Sequence, residues 1–102
     1  MYLVREIMYC KPGKVRPLVE KFLAMNPLMA KLGLSTMRVM TDVSGERYWT
    51  LVAEVEVPSL QAIEDMQSPQ GSPEDMKEFE RIMAGYHDLV DYGRREVFKI
   101  EG

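Results

Sequence analysis

The chain has 102 residues, 46% of them hydrophobic and 28% charged, a composition that suits one packed globular domain over 1–102 rather than a disordered or fibrous protein. Its formal charge of −3 supplies no excess of positive field to attract a nucleic-acid backbone. Because no apolar run approaches the roughly 20 residues that cross a bilayer and the N-terminus lacks the layout of a signal peptide, we expect a cytoplasmic protein that binds neither nucleic acid nor a membrane.

The first two predicted elements are a strand and an amphipathic helix. Tyr2–Cys10 is rich in β-forming residues and ends at the breakers Lys11-Pro12-Gly13, which indicates a strand. From Lys14 to Gly33, apolar residues recur every three or four positions, which indicates a helix. Asn26-Pro27 has the sequence of a new cap followed by a first-turn proline, so we expect this helix to be bent or restarted there.

The rest of the chain predicts a hairpin, two more helices and a last strand. Ser44-Gly45-Glu46 is a short glycine-containing connection that suits a hairpin. Ser72-Pro73-Glu74-Asp75 joins a cap, a first-turn proline and early acidic charge, which is typical of a helix start. The predicted elements are strands at Leu34–Val43 and Arg47–Val57, a short helix at Leu60–Met66, a loop at 67–71, a helix at Pro73–Asp91 and a strand at Tyr92–Glu101.

This β-α-β-β-α-β order predicts an α+β fold of the ferredoxin-like kind. Right-handed crossovers then give a four-stranded antiparallel sheet with both main helices on one face. Alternation along the predicted second and third strands makes the helix-facing side apolar, whereas the opposite side mixes aromatic, apolar and charged groups. Such a mixed face suits a protein interface better than open solvent, so we predict a homodimer in which two sheets stack across a twofold axis. The predicted dimer face contains Arg38, Tyr48, Val52 and Glu54.

Two segments of the chain resemble a known superfamily. Arg5–Lys14 (REIMYCKPGK) and Leu89–Phe98 (LVDYGRREVF), with the element order between them, resemble the dimeric α+β barrel superfamily, and within it the NIPSNAP-like and antibiotic-biosynthesis-monooxygenase-like small domains. The resemblance covers almost the whole chain. It implies a homodimeric barrel, and relatives of this fold act without a cofactor on substrates that activate oxygen themselves or transfer a proton in an apolar pocket.

Haem-degrading members of the same superfamily suggest a minority alternative. They resemble this chain in having a tryptophan on the third strand and a histidine on the last helix, which Trp49 and His87 would match. Those relatives also carry an asparagine on the first strand, whereas none occurs within Tyr2–Cys10. Haem therefore stays a minority possibility, and no cofactor is predicted.

His87 is the candidate catalytic residue. It falls at the edge of the apolar face of the predicted last helix, where an imidazole would suit a general base or ligand. A solvated boundary residue is the alternative. A ligand pocket between helices and sheet is predicted to be lined by Trp49, Tyr86, Met83 and Met37, although filling the core is the simpler role for these side chains.

Other chemistries have less support in the sequence. A lone Cys10 cannot form an internal disulfide, and no metal-binding spacing of histidines or cysteines occurs, so no metal site is predicted. Arg38, Glu54 and the Arg94-Arg95-Glu96 cluster could bind a carboxylate or enolate, but strand-borne charges of both signs are more often interface ion pairs.

The leading hypothesis is a homodimeric domain that binds a small hydrophobic molecule. Its catalytic form would be a cofactor-independent monooxygenase or isomerase. The alternative from another class is a non-catalytic dimerisation or regulatory module. The ligand-binding hypothesis requires a hollow space between helices and sheet, whereas the non-catalytic module is compatible with a packed one.

Overall fold

A computed structural model of the chain describes residues 1–67 and 71–102, so most of the predicted loop at 67–71 lies outside the described residues. Within the described residues, no helix is both long and apolar enough to cross a membrane. The elements are β1 (Tyr2–Cys10), α1 (Val15–Lys31), β2 (Arg38–Thr41), β3 (Thr50–Val57), α2 (Leu60–Gln67), α3 (Pro73–Met83), a 3₁₀ turn (Tyr86–Asp88) and β4 (Val90–Lys99).

The strands form one antiparallel sheet in the order β2-β3-β1-β4, which confirms the predicted ferredoxin-like α+β fold. The two long central strands, β1 and β3, pair along their whole length and place Glu6 opposite Ala53. On the other side of β1, Glu6 lies opposite Arg95 of β4. This register puts one carboxylate in the middle of the sheet, between a small side chain and a cation.

The two faces of the sheet differ as the alternation predicts. Leu51, Ala53, Val55 and Val57 of β3 are all buried on the side that carries the helices. The intervening side chains of β3 lie on the opposite side, called here the outer face, because successive strand residues point to opposite faces. The core therefore lies between the sheet and α1.

Helix α1 covers the sheet with one apolar stripe and runs through Pro27 without a restart, so the expected restart is wrong. Pro27 lies on the exposed side of α1, where water can satisfy the carbonyl of Leu23. Asn26 does not cap a new helix. Its side-chain amide donates to the Met37 carbonyl at 3.0 Å, and its side-chain oxygen accepts from the Met37 backbone N–H at 2.8 Å. These two bonds fix the chain just before β2.

Both strands of the predicted hairpin are shorter than the sequence suggests. The connection between β2 and β3 spans residues 42–49, and it includes Tyr48 and Trp49, which were predicted to lie in β3. Trp49 has a φ of 61°, a left-handed conformation that interrupts strand alternation. The Asp42 side chain accepts a 2.9 Å hydrogen bond from the Thr50 N–H and closes the ladder at that point.

The last helix begins as predicted but ends early. Ser72 caps α3, and a reciprocal bond from the Ser72 N–H to the Asp75 carboxylate completes a capping box. The helix ends at Met83 instead of Asp91, because Gly85 adopts a left-handed φ of 81° and turns the chain into the 3₁₀ turn. Strand β4 then begins at Val90.

The paired bonds of Asn26 give a testable stability prediction. Asn26→Ala removes both and leaves the part-buried Met37 N–H and carbonyl without these partners, which should lower the free energy of unfolding by about 1–3 kcal/mol. Urea denaturation measures this change. Glu20→Ala, at an exposed position of α1, is the control and should change stability by less than about 0.5 kcal/mol. Equal effects of the two substitutions would show that the Asn26 bonds do not stabilise the fold.

Candidate functional site

Helix α3 packs against α1, and little of its own surface is buried. Ile82 is buried with Met25 and Met29 of α1, and Asp75 is the other buried residue of α3. The apolar side chains Met76 and Phe79 remain 37% and 49% exposed. Part of the apolar surface of α3 therefore has no side chains packed onto it.

The space beside α3 is a cavity of about 480 Å³, bounded by the sheet, α1, the end of α2 and α3. This volume lies within the range of about 300–1,000 Å³ typical of small-molecule sites. The central strands supply its floor, and methionines are the most frequent residues of its lining. Among the residues that the structure describes, those that line the cavity are Val4, Glu6, Phe22, Met25, Leu28, Met29, Leu32, Leu34, Met37, Ala53, Val55, Met66, Gln67, Asp75, Met76, Phe79, Glu80 and Met83.

Two lysines of α1 hold the two ends of α3. The Lys31 ammonium lies 2.6 Å from Asp75 Oδ1 at the first turn of α3. At the other end, Lys21 Nζ donates to the carbonyls of Ala84 at 2.6 Å and Ile82 at 3.3 Å. Carbonyls at a helix C-terminus lack partners within the helix, so a cation there both caps the helix and complements its dipole. The position of α3 above the cavity therefore depends on polar contacts as well as on Ile82.

Both carboxylate oxygens of Asp75 take part in this attachment. Its Oδ1 pairs with Lys31, and its Oδ2 accepts from the Ser72 N–H at 3.1 Å. The hydrogen bond from Lys31, followed by those from Ser72, holds the pKa of the Asp75 carboxyl below its ordinary value. The same carboxylate raises the pKa of the Lys31 ammonium. Both shifts favour the charged pair that fixes the start of α3.

Glu6 lies at the cavity and was not among the predicted site residues. It lies on the helix-facing side of β1, in a row whose neighbours are Val4 and Met8. Its Oε1 accepts a hydrogen bond from Arg95 Nε. The signal was present in the sequence, because a single charge in an otherwise apolar alternating row is costly unless it is paired or used. The floor of the cavity thus carries a carboxylate beside the small Ala53.

Two of the residues predicted to line a pocket do line this cavity, and the others lie elsewhere. Met37 and Met83 are part of the lining, whereas Trp49 and Tyr86 are not. Tyr86 packs against the buried cluster beneath the other end of α1, and Trp49 is 43% exposed outside β3. His87 is exposed in the 3₁₀ turn, with its ring centroid 4.0 Å from that of Tyr86. The neighbourhood of Tyr86 is core, and the hollow lies under Met76 and Phe79.

The outer face carries an extended ion-pair network. Glu54 lies between two arginines, 3.0 Å from Arg38 Nη2 and 2.9 Å from Arg5 Nε, and Arg5 also contacts Glu96 at 3.2 Å. Arg94 pairs with the same Glu96. Of the charges that could have bound a carboxylate or enolate, Arg38, Glu54, Arg94 and Glu96 are therefore paired within this network. Arg95 instead pairs with Glu6 on the helix-facing side.

The connection at 42–49 folds over one end of this face. Arg47 lies over the ring of Tyr9, 4.5 Å from its centroid, and 5.2 Å from that of Tyr92. Tyr9 is consequently only 5% exposed although it belongs to the outer face. Of the predicted dimer-face residues, Arg38, Val52 and Glu54 lie on the strands of this face, whereas Tyr48 is 86% exposed in the connection.

The fold defines a small ferredoxin-like α+β domain, and solved structures of that class are similar to it. A NIPSNAP domain protein from Burkholderia xenovorans is 12% identical, with a TM-score of 0.69 over 98% of this chain and 94% of that one. A candidate antibiotic biosynthesis monooxygenase from Deinococcus radiodurans is 10% identical, with a TM-score of 0.66 over 100% and 94%. A dimeric ferredoxin-like protein from Bacteroides fragilis is 12% identical, with a TM-score of 0.59 over 97% and 96%.

These comparisons confirm, at the level of the fold, the resemblance to NIPSNAP-like and monooxygenase-like domains. Identities this low establish a shared architecture and leave the activity to be argued from the site. No protein-family model matches the chain, and no curated protein matches it significantly. Within 1–67 and 71–102, no cluster of three or more histidine, cysteine or acidic side chains is arranged to hold a metal ion.

The Lys31–Asp75 pair predicts a specific dependence of stability on pH. Because the folded pKa of Asp75 is below its unfolded value, the pair contributes fully above about pH 4 and its contribution is lost as the pH falls through the folded value. Asp75→Asn should therefore lose less stability than the wild type between neutral pH and strong acid. Thermal unfolding across that range measures the difference.

A pair of lysine variants controls this measurement. Lys31→Gln removes the partner of Asp75 and should also reduce the loss of stability in acid, whereas Lys14→Gln, outside this contact, should behave as the wild type does. An acid dependence that is identical in the wild type and Asp75→Asn would contradict the assignment.

Proposed function

We propose that this domain binds a small hydrophobic molecule in the cavity beside α3. The main support for this proposal is the cavity itself, with its methionine-rich lining and its location on the helix-facing side of the central strands. Methionine has an unbranched, polarisable side chain that adapts to ligands of different shape. A lining of this kind favours an apolar ligand that is recognised chiefly by shape and burial.

The exposure of α3 supports the same conclusion. Met76 and Phe79 leave apolar surface uncovered at the cavity, next to the buried Ile82 on the same helix. Apolar surface that remains open in a concave site is typical of ligand-binding grooves. A ligand there would cover these side chains and complete the packing of α3.

A catalytic form of this function would depend on Glu6. The structural neighbour from Deinococcus radiodurans is a candidate monooxygenase, and both a monooxygenase and an isomerase without a cofactor need a group that moves a proton. Glu6 lies at the cavity, whereas His87 lies outside it. Haem is not part of the proposal, since both residues that suggested it, Trp49 and His87, are outside the cavity lining.

The proposal includes a homodimer formed through the outer face. Tyr92 and Phe98 expose 53% and 48% of their surface on that face, and Val52 is half-buried there. The molecule is only 18 Å through in its thinnest direction, since a single helix layer covers a single sheet. A second copy would bury these aromatics against another sheet, and one structural neighbour is itself described as dimeric.

A non-catalytic dimerisation module remains the alternative function. Such a module would assemble through this face and would not use the cavity.

Ligand binding is testable with an uncharged fluorescent probe. N-phenyl-1-naphthylamine should bind the wild-type protein with enhanced fluorescence. Met76→Trp should weaken binding by about tenfold or more, because the larger side chain fills space at the cavity. Lys77→Trp adds the same ring to an exposed position of α3 outside the lining and should leave binding unchanged. Absence of binding to the wild type, or equal binding by both variants, would contradict the proposed site.

The dimer is testable with a matched pair on β4. Phe98→Asp places a charge on the outer face and should give a monomer by multi-angle light scattering at micromolar concentration. Val97→Asp places the same charge on the helix side of the same strand, at 43% exposure against 48% for Phe98, and should remain dimeric. A wild-type monomer, or equal behaviour of the two variants, would exclude assembly through this face.

A further inference from the structure

The charged residues at the cavity are all of one sign. Among the described residues, Glu6, Asp75 and Glu80 contribute to the lining, and no lysine or arginine does. The cations that pair with two of these carboxylates, Arg95 and Lys31, lie outside the lining. The lining therefore presents carboxylates, and their cationic partners are not part of it.

The three carboxylates differ in their availability to a ligand. Asp75 is occupied on both oxygens, by Lys31 and by the Ser72 N–H. Glu80 is exposed on α3. Glu6 is 26% exposed on its side chain, lies among apolar residues and pairs with Arg95 through Oε1. Because an ionised carboxylate can accept several hydrogen bonds, its second oxygen can take a further donor.

We infer that the cavity selects an amphiphile with an apolar body and an ammonium end group that binds the Glu6 carboxylate, and that it rejects the corresponding carboxylic acid. This inference rests on the proposed function of the cavity and adds the charge of its ligand. A donor at Glu6 would form a charge-assisted hydrogen bond, which is stronger than a hydrogen bond between neutral groups. A ligand carboxylate there would face like charges, and no lining cation would offset them.

The test uses ligands that share one alkyl chain and differ only in the end group. Octylamine, 1-octanol and octanoate compete with bound N-phenyl-1-naphthylamine near neutral pH, and their inhibition constants are compared. We expect octylamine to bind most tightly, octanol next and octanoate at least about tenfold more weakly than octylamine. Octanoate binding as tightly as octylamine would overturn the inference and leave the proposed function intact. Failure of the neutral probe itself to bind would overturn both.

Two charge variants distinguish the effect of the Glu6 carboxylate on ligand preference from the effect of the protein's net charge. Glu6→Gln removes the carboxylate and frees the Arg95 guanidinium, so the preference for amine over acid should disappear or reverse. Glu20→Gln, at an exposed position of α1, changes the net charge by the same amount and should keep the preference. An unchanged preference in Glu6→Gln would contradict the role of Glu6.

A second variant keeps the test decisive if Glu6→Gln does not fold. Arg95→Gln retains the carboxylate and removes its half-exposed cation, so the ratio of amine to acid affinity should rise above that of the wild type. A fall in this ratio, or no change, would count against the inference.

Discussion

Contacts from two lysines of α1 hold the two ends of α3. The candidate site depends on the position that these contacts give to α3. Lys31 pairs with the first turn of α3, and Lys21 caps the carbonyls at its end. Between them, Ile82 is the buried apolar anchor. A helix attached in this way can lie on its neighbouring helix without its whole apolar side packing onto the sheet. The cavity is the space that this arrangement leaves.

The pairing register of the sheet determines what the cavity contains. Because Glu6 lies opposite both Ala53 and Arg95, the floor combines a carboxylate with a small side chain, and the cation that pairs with the carboxylate lies outside the lining. A shift of one residue would move Glu6 to the outer face and bring Ile7 to the helix side. The same register places Arg5 beside Glu54 and Glu96 on the outer face. One pattern of strand pairing thus sets the chemistry of both faces.

Local signals predicted the elements well, and long-range packing decided the site. The bounds of β1 and the capped start of α3 follow from breakers and cap residues next to them in sequence. The sequence predicted a last helix that runs to Asp91, but the left-handed Gly85 ends it after Met83. No local pattern indicates the left-handed Trp49.

The hollow has no sequence signature either, because it depends on how far α3 stays from the sheet. Met37 and Met83 were predicted to lie between helices and sheet, but their positions in the sequence could not show whether that space was packed or open. Glu6 was readable as an isolated charge in an apolar row, yet its partner Arg95 comes from the other end of the chain. Residues were therefore predictable as facing inward, whereas the space between them was not.

The distribution of the methionines allows a direct test of whether the cavity beside α3 is a binding site. Six of the nine line it, and Met1, Met8 and Met40 do not. Methyl NMR of methionine-labelled protein, titrated with N-phenyl-1-naphthylamine, reports on every one of them. We predict saturable shifts in the lining set, with Met76 and Met83 foremost, and little change at the other three. Shifts confined to Met1, Met8 or Met40, or no saturable shifts, would contradict a binding site in this cavity.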